Sequence, residues 1–126
     1  MVAAAVVDPE RRILIADRPP GKHMAGRWEF PGGKLAAHET EAAALARELR
    51  EELGIEVLAS RFVQRLTHSY SDRIVELSFW TVERYSGDPV ALDGQRLKWV
   101  TADELAAADI LEADRPFVAA LRRLLQ

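Results

Sequence analysis

The chain of 126 residues contains no cysteine. That absence excludes a disulfide scaffold, a thiolate zinc site and a cysteine nucleophile. An excess of positive charge is missing as well, since the formal net charge is -3 at pH 7. This argues against the broad basic surface that binding to a nucleic-acid polymer requires, although local basic residues can still hold a few phosphates. No stretch approaches the roughly 20 apolar residues that a membrane span needs. The apolar opening Val2-Ala3-Ala4-Ala5-Val6-Val7 has no basic leader, is too short for an export signal and soon meets Asp8-Pro9-Glu10-Arg11, so it reads as a buried strand. Internal repeats and low-complexity segments are absent too. With 48% of its residues apolar, the chain fits a single domain over residues 1–126 that can bury a core unaided. A cytoplasmic monomer is the expectation.

The runs Val2 to Val7 and Arg12 to Asp17 flank Asp8-Pro9-Glu10-Arg11, whose Asp and Pro suit the first two positions of a type I turn, so a hairpin is expected. Arg18 to Arg27 carries two prolines and two glycines and reads as a loop. Trp28-Glu29-Phe30 is a brief strand stopped by Pro31-Gly32-Gly33. From Thr40 the period changes: Ala42, Leu45, Ala46, Leu49 and Leu53 recur at helical spacing, with Thr40 as N-cap and Gly54 just past the end. Ile55 to Leu66 and Ile74 to Tyr85 read as longer strands, and Ser86-Gly87-Asp88-Pro89 then breaks the chain. Leu97 to Val100 reads as a last strand, Ala102 to Ala108 as a short helix and Pro116 to Leu125 as a closing amphipathic helix. That order predicts an α/β fold, a mixed sheet between helices.

On the central helix Glu48, Glu51 and Glu52 stand at i, i+3 and i+4, so their carboxylates project from one face. Glu41 points roughly the same way. The apolar stripe lies to one side, which predicts that the acids crowd along the rim of whatever the helix covers. Like charges at this spacing repel, and a cation would relieve them. Hard carboxylate oxygens favour magnesium, with manganese as a possible substitute, and both suit a polyphosphate that brings further oxygens. Taken alone, a Glu-rich face is more often simply solvated. Its neighbours change that reading. Gly33, five residues, Glu39, seven residues, Arg47-Glu48, Leu49, Arg50, Glu51-Glu52, Leu53, Gly54, Ile55 is an unbroken match to the signature of the Nudix hydrolases. With seven fixed residues at about 6% background usage each, a chance match at a given start is on the order of 10⁻⁹.

Within that family the stretch Arg18 to Thr40, together with Ser71-Asp72-Arg73, Phe79 to Arg84 and Ala113-Asp114-Arg115-Pro116, resembles the MutT-type enzymes that hydrolyse oxidised purine nucleotides. The resemblance implies an α/β/α sandwich and a magnesium-dependent pyrophosphohydrolase acting on a free nucleoside triphosphate. It implies that Glu48, Glu51 and Glu52 bind metal with the Gly32 carbonyl, and that Glu48 or Asp93 activates water. Arg47 is expected to brace Glu48, and Glu39 to hold the loop and helix together. Arg18, His23 and Lys34 correspond to positions that hold the nucleotide, Lys34 being equally readable as a solvated charge. The segment Glu29, Phe30, Pro31 and Gly32 is expected to offer backbone groups to base and sugar. His38 and His68 have no such support. Tyr70, Phe79, Trp80 and Trp99 read as core residues.

Asp114 departs from the bacterial MutT pattern, which has Asn before the closing helix. An Asn can donate to O6 of guanine and accept from the N7 hydrogen that oxidation creates, whereas an ionised Asp only accepts. Burial that keeps Asp114 protonated would restore the donor. A carboxylate facing the exocyclic amine of cytosine gives the competing reading, a pyrophosphohydrolase for CTP or 5-methyl-dCTP. Asp114 could instead merely N-cap the helix. A non-catalytic nucleotide-binding module is the alternative of another class, and it would be expected to lose box glutamates that are all present here.

Overall fold

The computed structural model describes residues 1–18, Gly21 and 26–125. Among these, seven strands form one sheet with three α-helices packed on it. In chain order the elements are β1 (Val2–Val7), β2 (Ile13–Asp17), β3 (Trp28–Glu29), β4 (Gly32–Gly33), α1 (Glu41–Leu53), β5 (Glu56–Ser69), β6 (Ile74–Ser86), β7 (Leu97–Val100), α2 (Ala102–Ala107) and α3 (Arg115–Leu124). A single 3-10 turn, Glu112–Asp114, leads into α3. The strand order is β3-β2-β1-β6-β5, with β4 also on β1 and β7 also on β2. The β1·β6 pair is parallel and the others are antiparallel, so the sheet is mixed. No helix among the described residues is long and apolar enough to cross a membrane.

All six residues of β1 are buried because the strand is central and covered on both faces. Alternation then splits it. Ala3, Ala5 and Val7 join Ile13, Ile15, Phe79, Leu105, Phe117 and Leu121 on the side of α2 and α3. Val2, Ala4 and Val6 join Leu14, Leu45, Leu49, Leu53 and Val82 on the side of α1. The result is the expected three-layer sandwich.

The hairpin turn forms as expected, with the Arg11 N–H donating to the Asp8 carbonyl at 2.9 Å. Arg11 then takes a left-handed conformation at φ 63°, which completes a three-residue loop of the type I plus bulge kind. The Asp8 carboxylate accepts from the backbone N–H groups of Glu10 and Arg12 at 3.0 and 2.7 Å. Helix α1 begins where the Thr40 side chain accepts from the Ala43 N–H at 3.1 Å. It ends at Gly54, whose φ of 70° lets its N–H reach the Arg50 carbonyl.

Three expectations need correction. The buried residues of α1 are Ala44, Leu45, Leu49 and Leu53, while Ala42 is exposed and Ala46 half-buried. At 100° per residue that arc includes Glu48 and Glu52, so these acids face inward rather than lining a rim. Second, Gly32–Gly33 forms a short strand, invisible to a pattern search because it has no side chains to alternate. Third, β5 runs on to Ser69, since pairing with β6 carries it past the end of its apolar run.

Candidate functional site

The inward turn of Glu48 and Glu52 is possible because they lie over β4. A Cβ added to Gly33 would overlap the Glu48 carboxyl group, and one on Gly32 would overlap the backbone of Val2 and Ala3. The two glycines therefore make room for an acid above and a strand beside them. The Gly32 N–H donates to Glu52 Oε2 at 3.3 Å. Burial, reinforced by the charge of Glu48 and then of Asp93 and Glu29, pushes the Glu52 carboxyl up to about 8. Asp93 is itself exposed. It belongs to a loop that docks on the free carbonyls at the end of α1, where the Leu92 N–H and the Gln95 side chain both donate to the Glu52 carbonyl, at 3.1 and 3.2 Å.

Arg47 ties the loop after β4 to the helix. Its Nε and Nη2 donate to the two oxygens of Glu39 at 2.7 and 3.0 Å, and Nη2 also donates to the Lys34 carbonyl at 3.0 Å. Its Nη1 reaches Glu48 at 3.1 Å and Glu51 at 3.2 Å. Glu39 in turn accepts from the Ala36 N–H at 2.8 Å. The Arg47 bonds hold the Glu39 carboxyl at about 2, and the same pairing raises Arg47. Glu51 is exposed and drawn to Arg47. Among the described residues, no three acidic or histidine side chains stand close enough to hold a metal ion between them. The structure thus brings Glu48 and Glu52 together over β4, while Glu51, exposed, shares the Arg47 Nη1 with Glu48.

Beside these acids opens a cavity of about 660 Å³ lined by Arg18, Glu29, Phe30, Gly32, Gly33, Lys34 and Asp114 among others. Its size is within the range of small-molecule sites. Arg18 donates to Glu29 at 2.8 Å. Lys34 is exposed. Phe30 is a core residue by its ring, which packs edge-on against Phe117, yet its backbone N–H donates to Asp114 Oδ2 at 3.3 Å. Pro31 is buried and its carbonyl accepts from the Ala4 N–H at 2.8 Å. His23 lies outside the described residues.

Asp114 is only 6% exposed. Burial raises its carboxyl to about 7, with the Glu29 charge adding to that and the Phe30 N–H and Arg18 opposing it. It makes no side-chain cap hydrogen bond to α3, so the capping alternative is wrong. The 3-10 turn puts its backbone in the α-region at ψ -10°, not in the extended conformation a capping side chain needs.

Sequence reasoning missed one wall of the cavity, formed by Met1, Tyr70, Arg73, Glu76 and Leu111. Tyr70 is half-buried at the tip of the β5–β6 hairpin, with the Arg73 guanidinium 5.2 Å from its ring centre; it is not core. The signal was available in the turn residues Ser71-Asp72-Arg73, which follow Tyr70 directly and stand between the end of β5 at Ser69 and the start of β6 at Ile74. Phe79 is core, and Trp80 and Trp99 pack against the α1-side core.

A family model described as a NUDIX domain matches residues 2–120. The 8-oxo-dGTP diphosphatase of Escherichia coli (strain K12) is 38% identical over 98% of this chain and 96% of its own length. The CTP pyrophosphohydrolase of the same organism is also 38% identical, with 98% and 91% covered. Among solved structures, one from work on MutT of Aliivibrio salmonicida and Vibrio cholerae superposes with a TM-score of 0.84 at 34% identity, covering 95% of this chain and 93% of that one.

Proposed function

The chain belongs to the Nudix family, hydrolases that act on phosphoanhydride bonds, and from that premise we propose that it is a magnesium-dependent 8-oxo-dGTP diphosphatase. The products are 8-oxo-dGMP and pyrophosphate, and the role is cleansing of the nucleotide pool. Nudix hydrolases generally need a divalent metal, and the donor set here fits one. Glu52 is a half-buried acid whose carboxyl is pushed up first by burial and then by the charges of Glu48, Asp93 and Glu29, surroundings that a cation would relieve. Glu48, Glu52 and the Gly32 carbonyl would hold the metal, with Glu51 joining when it leaves Arg47. Bound there, magnesium would neutralise triphosphate charge and acidify a water.

The chain's own groups do the rest. Arg18 and Lys34 meet phosphate or sugar oxygens, and Glu29 and Phe30, which line the cavity, meet the nucleoside. Glu48 or Asp93 takes the proton of the attacking water. Arg47 keeps Glu48 in place, and Glu39 keeps Arg47 in place.

Asp114 carries the choice of base. A buried carboxyl with a pKa of about 7 is partly protonated at neutral pH, so it can donate to O6 of 8-oxoguanine while its other oxygen accepts from the N7 hydrogen. Initial rates over a panel of oxidised and normal triphosphates test this, and a preference for unmodified purines would sink it. A second reading, CTP as substrate, is favoured by the carboxyl itself, which when ionised accepts from the amine of cytosine. The relative that bears that activity is as similar as the other. For either base, hydrolysis in oxygen-labelled water should place the label on pyrophosphate, as attack at the β-phosphorus requires. Label on the monophosphate would contradict the mechanism.

A further inference from the structure

We propose that Arg96 is a positioning residue for nucleotide binding, clamping the two strand ends from which Arg18 and Glu29 enter the cavity; this rests on the cavity being the nucleotide site. The Arg96 side chain is 70% exposed, yet its Nε donates to Asp17 Oδ2 at 2.6 Å, and its backbone N–H donates to Asp17 Oδ1 at 2.6 Å. The Asp17 N–H returns a bond to the Arg96 carbonyl at 3.1 Å. Asp17 is buried, which pushes its carboxyl up, but the Arg96 bonds prevail and hold it below the usual value. The guanidinium carbon also lies 5.3 Å from the centre of the Trp28 ring, beside Lys98 Nζ at 4.3 Å.

Strand register gives this clamp its reach. Asp17 and Trp28 are direct partners across β2 and β3, as are Ala16 and Glu29, so Asp17 and Trp28 share the face on which Arg96 lies. The next residues, Arg18 and Glu29, point to the other face, where they pair with each other at 2.8 Å and line the cavity. β3 is two residues long and lies between β2 and the segment that follows α2. Trp28 also holds the opposite wall, because its N–H donates to the Asp109 carbonyl and its carbonyl accepts from the Leu111 N–H, both at 2.9 Å. Leu111 leads directly into the turn that carries Asp114. One exposed arginine therefore links the Arg18, Glu29 and Asp114 sides of the cavity without touching a ligand.

The test compares Arg96→Met and Arg96→Lys with Arg18→Ala in the full chain, using 8-oxo-dGTP and CTP with magnesium as probes. Arg96→Met should raise KM about tenfold or more on the better probe with kcat within about twofold, because displaced binding groups cost affinity first. Arg96→Lys keeps a cation near Trp28 and should recover part of the loss. The double variant Arg18→Ala with Arg96→Met should lose less than the product of the single losses, since both act through one side chain. A lower melting temperature for Arg96→Met at unchanged KM would overturn the proposal, as would losses that simply multiply. If Arg18→Ala leaves KM unchanged on both probes, the nucleotide reading of the cavity falls and the clamp with it. If Arg18→Ala raises KM and neither Arg96 variant does, the clamp alone is overturned.

Discussion

Asp114 shows how a single side chain can be read from sequence only up to its environment. The sequence places an acid before α3 and leaves its environment open; the buried position raises the carboxyl to about 7, so both protonation states are populated near neutral pH. Substitution by Asn supplies a donor at every pH. Asp114→Asn should therefore change the ratio of kcat/KM between 8-oxo-dGTP and CTP by about tenfold or more, about 1.4 kcal/mol of discrimination. In the unsubstituted protein the preference for 8-oxo-dGTP should decline between pH 6 and 8 as the proton is lost, and in the variant it should stay flat. Equal losses on both substrates would mean that Asp114 does not read the base. Glu52 offers a second test at this scale. Glu52→Gln keeps the side-chain volume and the contact with Gly32 but removes an anionic oxygen, so most turnover should disappear while the fold persists. Near-normal rates in limiting magnesium would refute the metal assignment.

At the scale of elements, legibility followed the side chains. Helix α1 was legible at both ends because capping is local chemistry: Thr40 and Gly54 each satisfy backbone groups within one turn. Its inward acids were not legible, because periodicity ranks residues by polarity and cannot know that the element underneath is side-chain-free. That element, β4, was missed for the same reason. Its two glycines should respond differently to substitution. In Gly33→Ala the new methyl meets only the flexible end of Glu48, which can swing away, so the protein should fold normally and lose at least about tenfold in kcat as the carboxylate is displaced. In Gly32→Ala it meets the Val2 and Ala3 backbone of the central strand, which cannot yield, and about 1–3 kcal/mol of stability should be lost. Thermal melts and rates on the two variants distinguish them, and the reverse pattern would disprove this account of β4.

For the whole molecule, the architecture was legible because β1 is apolar throughout and α1 and α3 are amphipathic, which together demand a sheet covered on both sides. What no pattern could supply is the charge the fold encloses, and pH exposes it. Glu52 and Asp114 have carboxyls raised to about 8 and about 7 from ordinary values of 4.5 and 3.8. Each binds its proton more tightly folded than unfolded. Their contribution to stability is therefore fully present below those ordinary values and is lost as pH rises through 7 and 8. Asp8, Asp17, Glu39 and Glu104 are lowered, so theirs is present above the ordinary range and is lost as pH falls through the depressed values. With a chelator present, the melting temperature should be highest at about pH 4.5 to 5, where the lowered acids are already ionised and the raised ones still protonated, and should fall until about pH 8. Asp114→Asn should flatten the lower part of that decline and Glu52→Gln the part that extends to about 8. Excess magnesium should raise the melting temperature more at pH 8.5 than at pH 5.5, because metal and proton compete for the same carboxylates. A chelated protein whose melting temperature climbs between pH 6 and 8.5 would show that these acids are not held in the interior as described.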